Sequence, residues 1–404
     1  MADGVFDALV VGGGPAGSAA AAALATKGLD TVLAGPPHRP LGPKPDSRTA
    51  ALFAGSIDFL RNLGAWAELE ASSVPIAGIR ILDDTGRLLK APDTLFRAEE
   101  VGLDAFGYNV PNDPLTTSLR ARLERLPRVT MIDTAGVEAL AIGPEHAVAR
   151  TKEGRTIAAR LVVAADGRRS LCRDAAGITT ETWGYPQAAV TCVFSHSRPH
   201  DRISTELHRP AGPFTVVPMP GLASSLVWVE RPEEAERLSK LDDASFRREI
   251  ERRLRGLLGA IGDVGPRGLF PLSGLKPAAF GANRVALVGE AGHVIPPIGA
   301  QGLNLGLRDA ATIADCAAAA AARDGRDVGG ADVMAAYSSA RSFDVSSRLT
   351  MVDMLNRSLL ADALPVHLAR GAGLAALNLI GPLRRLVVRE GMQPSHGLPS
   401  LMRT

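Results

Sequence analysis

Cysteine is scarce in this chain: three residues, Cys172, Cys192 and Cys316, occur in 404. They form no C-x-x-C pair and no spacing typical of a metal site, so the sequence indicates neither a disulfide framework nor a zinc centre. Reduced thiols of this kind fit a cytoplasmic protein, in which they act as packing residues. We therefore expect a cytoplasmic protein without a bound metal.

An excess of charge of either sign is also missing. Lys and Arg number 45 and Asp and Glu number 43, which gives a net charge of +2. No block of basic residues marks a phosphate-binding stripe, so a nucleic-acid partner is not expected. The first residues, Met1 to Asp7, carry two aspartates and no basic residue, and they do not resemble a secretory signal.

No apolar run is suited to crossing a membrane. The uncharged stretch Ala8 to Thr26 is dominated by Gly and Ala rather than by Leu, Ile and Phe. A second stretch, Leu359 to Val388, is apolar but is interrupted by Gly, Pro and charged residues. Two interpretations of this tail remain open. It could be an amphipathic surface that contacts lipid or a partner protein, or a helix packed on the rest of the chain.

The first 34 residues predict a β-α-β unit. Phe6 to Val11 is a short buried strand, Pro15 to Lys27 is an Ala-rich helix, and Thr31 to Ala34 is a second strand. Farther along, an amphipathic helix is expected from Arg48 to Leu63, with Asp46 or Ser47 as its cap. Another helix is expected at Asn112-Asp113-Pro114, with Asp113 as the cap and Pro114 at its first position.

A glycine-rich turn joins the first strand to the first helix. In Gly12-x-Gly14-x-x-Gly17, Gly12 permits the tight turn, Gly14 lets the backbone approach a pyrophosphate, and Gly17 lets the helix pack closely on the strand. The N–H groups at the start of the helix favour the diphosphate. The second strand ends at Gly35 without an acidic residue for a ribose, which argues against a freely exchanging NAD.

Two more strands run into conspicuous turns. Leu161 to Ala165 leads into Asp166-Gly167, and Val285 to Val288 leads into Gly289-Glu290. A loop follows the second of these turns and reads Pro296-Pro297-Ile298-Gly299-Ala300-Gln301-Gly302-Leu303-Asn304.

In this order, the three turns resemble those of the single-component flavoprotein hydroxylases of the p-hydroxybenzoate hydroxylase type. The similarity runs from Asp7 to about Arg341, and the loop beginning at Pro296 is its most specific part. The string Gln301 to Asp309, the tail and the ending Gly391 to Arg403 most resemble the ubiquinone-biosynthesis FAD-dependent hydroxylases, whereas the order Gly299-Ala300-Gln301-Gly302 is closer to p-hydroxybenzoate hydroxylase. The resemblance implies an α/β fold, with a Rossmann-like FAD-binding domain interleaved with a smaller mixed or antiparallel-sheet substrate lobe and followed by C-terminal helices.

The resemblance also divides the chain. The FAD-binding domain would comprise residues 1–70, 104–183 and 271–345, and the substrate lobe residues 71–103 and 184–270. Residues 346–404 would form a C-terminal helical segment.

The family's FAD-binding positions can be carried over residue by residue. Glu290 stands where the family normally has Asp, at the ribityl hydroxyls. The N–H groups of Gly299 to Gly302 could stabilise the flavin N1–C2=O edge when it becomes negative on reduction. Pro297 would form the wall facing flavin C4a, as the candidate catalytic contact, and His293 is expected to order the loop. The implied FAD-binding residues are Gly12, Gly14, Pro15, Ala16, Gly17, Arg48, Asn112, Asp166, Gly289, Glu290, Gly299, Ala300, Gln301, Gly302, Leu303 and Asn304.

The implied activity is hydroxylation of a phenol with O2 through a C4a-hydroperoxyflavin, with NAD(P)H or another electron donor as reductant. The expected substrate is a hydrophobic polyprenyl phenol of ubiquinone biosynthesis. Peripheral contact with the inner membrane, a quinone-biosynthesis complex and an oligomer are compatible with this function. Three alternatives remain: a soluble hydroxylase of a small phenolic acid, a flavin-dependent reductase of prenyl chains, and a non-catalytic member of a quinone-synthesis complex.

Overall fold

The computed structural model describes residues 4–38, 48–86, 91–323, 327–360, 371–373, 375–376, 379–392 and 397–403. Its strands are β1 Phe6–Val11, β2 Thr31–Gly35, β3 Thr49–Phe53, β4 Val74–Pro75, β5 Gly78–Asp83, β6 Thr94–Arg97, β7 Gly107–Pro111, β8 Val129–Asp133, β9 Val137–Ile142, β10 Ala147–Thr151, β11 Thr156–Ala164, β12 Thr180–His196, β13 Ile203–His208, β14 Phe214–Met219, β15 Ala223–Glu230, β16 Ile261–Val264, β17 Gly268–Pro277, β18 Gly281–Ala282 and β19 Val285–Leu287. Its helices are α1 Pro15–Thr26, α2 Ala54–Leu63, α3 Asn112–Glu124, α4 Leu171–Ala175, α5 Pro232–Lys240, α6 Asp243–Leu254, α7 Gln301–Ala321, α8 Ala331–Leu360 and α9 Gly381–Met392.

The first sheet has a parallel centre in the order β19-β11-β1-β2-β8. Apolar side chains cover both of its faces, which explains why β1 reads as a continuous hydrophobic run. On one face α1 and α7 pack together, and on the other lie α4 and the hairpin β9–β10. The predicted β-α-β unit is therefore confirmed, with its elements within a residue of the expected ends.

The second sheet is largely antiparallel, in the order β16-β12-β15-β14-β13-β5-β6, with β17 also paired to β12. One face buries Val190, Phe194 and Trp228 against α5 and α6, and this core is separate from that of the parallel sheet. Both of these helices are rich in charged residues.

A third, three-stranded sheet, in the order β3-β7-β4, corrects the prediction of a helix from Arg48 to Leu63. Thr49 to Phe53 pairs antiparallel with β7, and the helix begins only at Ala54. Pairing with a distant strand overrides the local helix preference of this Ala-rich segment. The proposed caps Asp46 and Ser47 lie outside the described residues. The next helix, α3, begins at Asn112 with Pro111 as its cap, so Asp113 lies in the first turn and is not the cap.

The C-terminal part packs largely on the parallel-sheet unit. Helix α8 buries Tyr337 and Val345 in the core shared with α7. At the end of the chain, Asn62 Nδ2 of α2 donates to the carbonyl oxygens of Leu401 and Arg403 at 3.0 and 3.2 Å. Among the described helices, none combines the length and the apolar character needed to cross a membrane.

Candidate functional site

The three predicted turns meet at one edge of the parallel sheet. Strands β19, β11 and β1 end side by side, and backbone hydrogen bonds join the residues that follow them. Ala165 N donates to Val11 O at 2.9 Å, and Val288 N donates to Ala164 O at 2.9 Å. Ligands of parallel α/β sheets bind outside this edge, so the topology places all three turns where a nucleotide cofactor would lie.

The first turn has the predicted shape. Gly12 has a φ of +117°, and a Cβ there would lie 2.1 Å from Ala165 O; a Cβ at Gly17 would lie 2.0 Å from Gly12 O. Gly14, by contrast, faces open space, with nothing within 4 Å of a Cβ. Helix α1 begins just beyond it, with Pro15 at its start and no side-chain cap. Its first N–H groups are therefore available to an anion that approaches over Gly14.

The packing at the end of β2 explains why no acidic residue stands at Gly35. A Cβ at Gly35 would lie 2.5 Å from Gly13 N. No side chain fits at that distance unless the turn is displaced. The close approach of two backbone segments thus accounts for glycine at this position. A ribose near it must be held by other groups.

Asp166 orders its own turn. Its Oδ1 accepts a hydrogen bond from Ser170 Oγ at 2.5 Å, and its Oδ2 accepts one from Cys172 N at 3.1 Å. Burial, together with the Asp166 carboxylate, raises the pKa of the Cys172 thiol well above its ordinary value. Cys172 is therefore a packing thiol, and Asp166 contributes by shaping the backbone beside Gly12.

Glu290 projects from the third turn with 61% of its side chain exposed. Its Oε2 lies 3.5 Å from Nε of Arg168. The Nη1 of the same arginine donates to Ser273 Oγ at 3.0 Å. Sequence reasoning did not single out Arg168, although it stands directly after Asp166-Gly167. The carboxylate remains accessible and could accept hydrogen bonds from hydroxyl groups of a ligand.

The loop after Pro296 ends in an unusual helix start. Gly299 and Ala300 have φ values of +68° and +53°, and Ala300 caps α7 without a side-chain hydrogen bond. Cβ atoms built on Gly299 or Gly302 would meet nothing within 4 Å. Pro297 is exposed, whereas Ile298 is buried. The first N–H groups of α7 therefore face an accessible space.

Two predicted residues of this loop use their side chains within the protein. Asn304 Oδ1 accepts from Phe53 N at 2.9 Å and from Ser56 Oγ at 2.8 Å. Its Nδ2 donates to the carbonyl oxygens of Ala51 and Ala300 at 2.8 and 2.7 Å. Gln301 Nε2 donates to Gly299 O at 3.0 Å. These side chains hold the start of α7 in place and leave only backbone groups for a ligand.

The starts of α1 and α7 lie close together. A Cβ built on Gly306 of α7 would lie 3.4 Å from Cβ of Ala16 and 3.3 Å from Cα of Gly289. Two helix N-termini without side-chain caps, open space before both and an accessible carboxylate on Glu290 thus share one edge. This arrangement fits a dinucleotide whose central diphosphate lies at the start of α1 and whose one end, a group that becomes anionic, lies at the start of α7.

Arg48 and Asn112 are brought together although 64 residues separate them in sequence. Asn112 N donates to Arg48 O at 3.1 Å, where β3 begins and β7 ends. The Arg48 guanidinium carbon lies 5.3 Å from the ring centroid of Phe270, a partly exposed residue of β17. The neighbouring Thr49 Oγ1 donates to Ser225 Oγ of β15 at 2.9 Å. The third sheet therefore joins the cofactor edge to the second sheet.

Behind the third turn lies a buried set of interacting charged residues that the sequence did not predict. Asp309, which is not exposed at all, accepts from Gly289 N at 3.0 Å and from Arg341 Nε at 2.6 Å, and its Oδ2 lies 2.7 Å from His293 Nε2. Burial opposes ionisation, yet His293 and Arg341 hold the pKa of the Asp309 carboxyl below its ordinary value. His293 thus orders the loop, as expected.

Comparison with known proteins agrees with this geometry. The family described as "FAD binding domain" matches residues 5–349. The chain is 39% identical over 393 residues to ubiquinone hydroxylase UbiL of Rhodospirillum rubrum, covering 97% of this chain and 90% of that protein. It is 28% identical over 387 residues to the 3-demethoxyubiquinol 3-hydroxylase of Escherichia coli, covering 95% and 97%.

A solved structure supports the architecture. The p-nitrophenol 4-monooxygenase PnpA from Pseudomonas putida has a TM-score of 0.77 to this chain at 19% identity, covering 97% of this chain and 99% of that one. At that identity the likeness concerns the fold alone, and it confirms the predicted α/β architecture with its two kinds of sheet.

Proposed function

Since the chain belongs to the FAD binding domain family and is an FAD-dependent monooxygenase, we propose that it hydroxylates the phenolic ring of a polyprenylated intermediate of ubiquinone biosynthesis. The observation that carries the proposal is the row of three turns and two uncapped helix N-termini at one sheet edge, in a chain similar along nearly its whole length to a named ubiquinone hydroxylase.

The FAD-holding residues follow from this row. The diphosphate would lie over Gly14, at the N–H groups of Ala16, Gly17 and the residues that follow them in α1. Glu290 would accept hydrogen bonds from the ribityl chain, and the N–H groups of Gly299 to Gly302 would face the flavin ring. When bound, FAD would supply the redox chemistry, in which two electrons from NAD(P)H or another donor and two protons let one oxygen atom of O2 enter the ring while the other leaves as water.

The wall of the substrate site would be the face of the second sheet that turns away from α5 and α6. On this face Ser225 meets Thr49 and Asn109, at 2.9 and 3.2 Å between the paired polar atoms. Farther along the same face, Tyr185 Oη lies 2.6 Å from Asp353 Oδ1 of α8. The face is thus bounded by β7 on one side and by α8 on the other, and these elements would limit the access of water to the reacting ring.

Apolar side chains dominate this wall. On this face Ala189, Val229 and Leu272 are buried and form one cluster, against which the partly buried Val227 packs. Phe270, beside Arg48, is 38% exposed. Apolar side chains of this kind suit the prenyl chain of a prenylated phenol.

A substrate panel tests the proposal. The purified holoprotein is given a reductant and O2 with a short-chain polyprenyl phenol, with p-hydroxybenzoate, or with neither, and hydroxylated product is measured against O2 consumed. Product formed only from the polyprenyl phenol, in near-equal amount to the O2 consumed, supports the proposal. Preference for p-hydroxybenzoate would favour the small-acid hydroxylase, and loss of a prenyl double bond without O2 uptake would favour a prenyl-chain reductase.

We further propose that one side of α8, together with α9 in the tail, contacts an anionic lipid surface, from which such a substrate would be drawn. On α8, Phe343, Met351 and Met354 are 82%, 55% and 67% exposed, at spacings that put them on one side of the helix. On α9, Leu386 is 58% exposed between the exposed Arg385 and Arg389. Exposed apolar side chains beside basic ones are typical of interfacial helices.

Vesicle sedimentation tests the lipid contact. The double change Phe343→Glu and Met354→Glu should abolish co-sedimentation with anionic phospholipid vesicles, whereas Val5→Glu, at a 43% exposed apolar residue of the parallel-sheet unit, should not. Co-sedimentation that survives the double change overturns the lipid proposal. If the wild-type protein does not sediment with vesicles but forms a dimer, and the double variant is monomeric, the same surface binds a second copy of the chain instead.

A further inference from the structure

Five charged residues form one ion cluster between α7 and α8, behind the loop that begins α7. Asp344 is its centre, because its carboxylate accepts hydrogen bonds from three arginines. Arg308 Nη1 donates to both oxygens at 2.9 Å, Arg341 Nη1 donates at 2.7 Å and Arg348 Nε at 2.9 Å. We name these residues, with Asp309, the α7–α8 cluster. Their side chains are all at most 21% exposed.

Arg348 is the member of the cluster that reaches the loop. While its Nε binds Asp344, its Nη1 donates to Gln301 Oε1 at 3.1 Å. Gln301 Nε2 in turn donates to Gly299 O at 3.0 Å. Two hydrogen bonds therefore lead from a guanidinium group to the backbone of the segment whose N–H groups face open space. A shift of Arg348 would move that segment.

The cluster carries an excess of positive charge. Burial works against the charged form of Asp344, yet Arg341, Arg308 and Arg348 hold its pKa well below the ordinary range. Asp309 is likewise held in its ionised form. Three guanidinium groups against two carboxylates leave one net positive charge, counted without His293. Because the side chains are largely buried, solvent ions screen this charge only weakly.

We propose that Arg348 is a positioning residue for the reduced flavin. It holds the Gly299 to Gly302 segment through Gln301 and brings the excess positive charge of the cluster to the start of α7. The inference rests on the proposed function, since it takes that segment as the seat of the flavin ring. Reduced flavin carries negative charge at its N1–C2=O edge and oxidised flavin does not, so Arg348 stabilises the reduced form selectively.

The two-electron midpoint potential of the bound FAD tests this role. Arg348→Ala should weaken the binding of reduced relative to oxidised FAD about tenfold, which for a two-electron couple lowers the potential by about 30 mV. Affinity for oxidised FAD should change less than about threefold, since that form lacks the charge. Arg348→Lys keeps a cation at the site and should restore most of the potential, which a purely structural role would not predict.

The matched control is Arg357→Ala. Arg357 binds Asp353 four residues earlier on the same helix, as Arg348 binds Asp344, but its side chain is 67% exposed. This variant should keep the wild-type potential.

A second variant keeps the proposal testable if Arg348→Ala does not fold. Gln301→Leu leaves all five charges in place and cuts the connection to the loop, so it too should lower the potential. Suppose that the wild-type protein contains FAD and hydroxylates its substrate, but that Arg348→Ala or Gln301→Leu keeps the wild-type potential. That result overturns this inference and leaves the proposed function standing. A protein that purifies without FAD and cannot be reconstituted overturns the proposed function instead.

Discussion

Replacing Asp309 by Asn should cost more stability than almost any other single isosteric change in this chain. The Asp309 carboxylate accepts from Gly289 N and Arg341 Nε and lies 2.7 Å from His293 Nε2, in a place with no solvent exposure. An amide has the same shape but one acceptor oxygen and no charge, so the buried Arg341 guanidinium loses one of its two carboxylate partners and keeps only Asp344. Removing one member of a buried ion pair costs about 3–5 kcal/mol.

Chemical denaturation of the FAD-free protein would measure this loss. The matched control is Asp30→Asn, because the Asp30–Arg128 pair is 59% and 51% exposed and such surface pairs contribute about 0–1 kcal/mol. The account predicts a loss of about 3–5 kcal/mol for Asp309→Asn and at most about 1 kcal/mol for the control. Equal losses in the two variants would refute the reasoning.

The same variant carries a pH signature. Since the pKa of Asp309 is lowered in the folded protein, its charge adds stability above the unfolded carboxyl pKa, and that stability is lost as pH falls through the folded value. The free energy of unfolding of the wild type should therefore decrease below about pH 5. In Asp309→Asn this decrease should be shallower, and a parallel decrease in both proteins would contradict the role given to Asp309.

Three further changes separate folding from cofactor binding. Gly14→Ala puts a methyl group into open space at an extended residue, so it should leave the FAD-free stability within about 0.5 kcal/mol. It should nevertheless weaken FAD binding about tenfold, or 1.4 kcal/mol, by isothermal titration. Gly35→Ala should instead lower the FAD-free stability by about 1–3 kcal/mol in urea unfolding, because its Cβ would lie 2.5 Å from Gly13 N. Asn304→Ala leaves the buried Phe53 N–H without its acceptor and should cost at least about 2 kcal/mol in the same assay. Equal behaviour of the two glycine variants, or a stable Asn304→Ala, would count against this description of the edge.

The parts of the fold that could be predicted are those with local causes. The turn at Gly12 follows a strand whose apolar run is readable directly, and glycine is required there by close backbone approach to Ala165. The turns at Asp166 and Gly289 also follow such strands, and parallel pairing then brings the three ends together. The proposed position of FAD at this edge therefore follows from short segments of sequence.

What could not be predicted depends on contacts between distant segments. Thr49 to Phe53 resembles the start of a helix, and only pairing with β7 makes it a strand. The Asp309–Arg341 pair joins residues 32 positions apart on two helices. One local signal for the cluster does exist: Arg341, Asp344 and Arg348 stand three and four residues apart on α8, the spacing that lets helical side chains pair.

A single-turnover experiment tests the central claim most directly. The FAD-loaded protein is reduced under anaerobic conditions, mixed with a short-chain polyprenyl phenol, and exposed to oxygen-18-labelled O2; the product is then analysed by mass spectrometry. The account predicts a phenol carrying one additional oxygen atom, and that this atom is labelled. Reoxidation of the flavin with unchanged phenol and one peroxide per flavin, at saturating concentrations of every phenol in the panel, would contradict it.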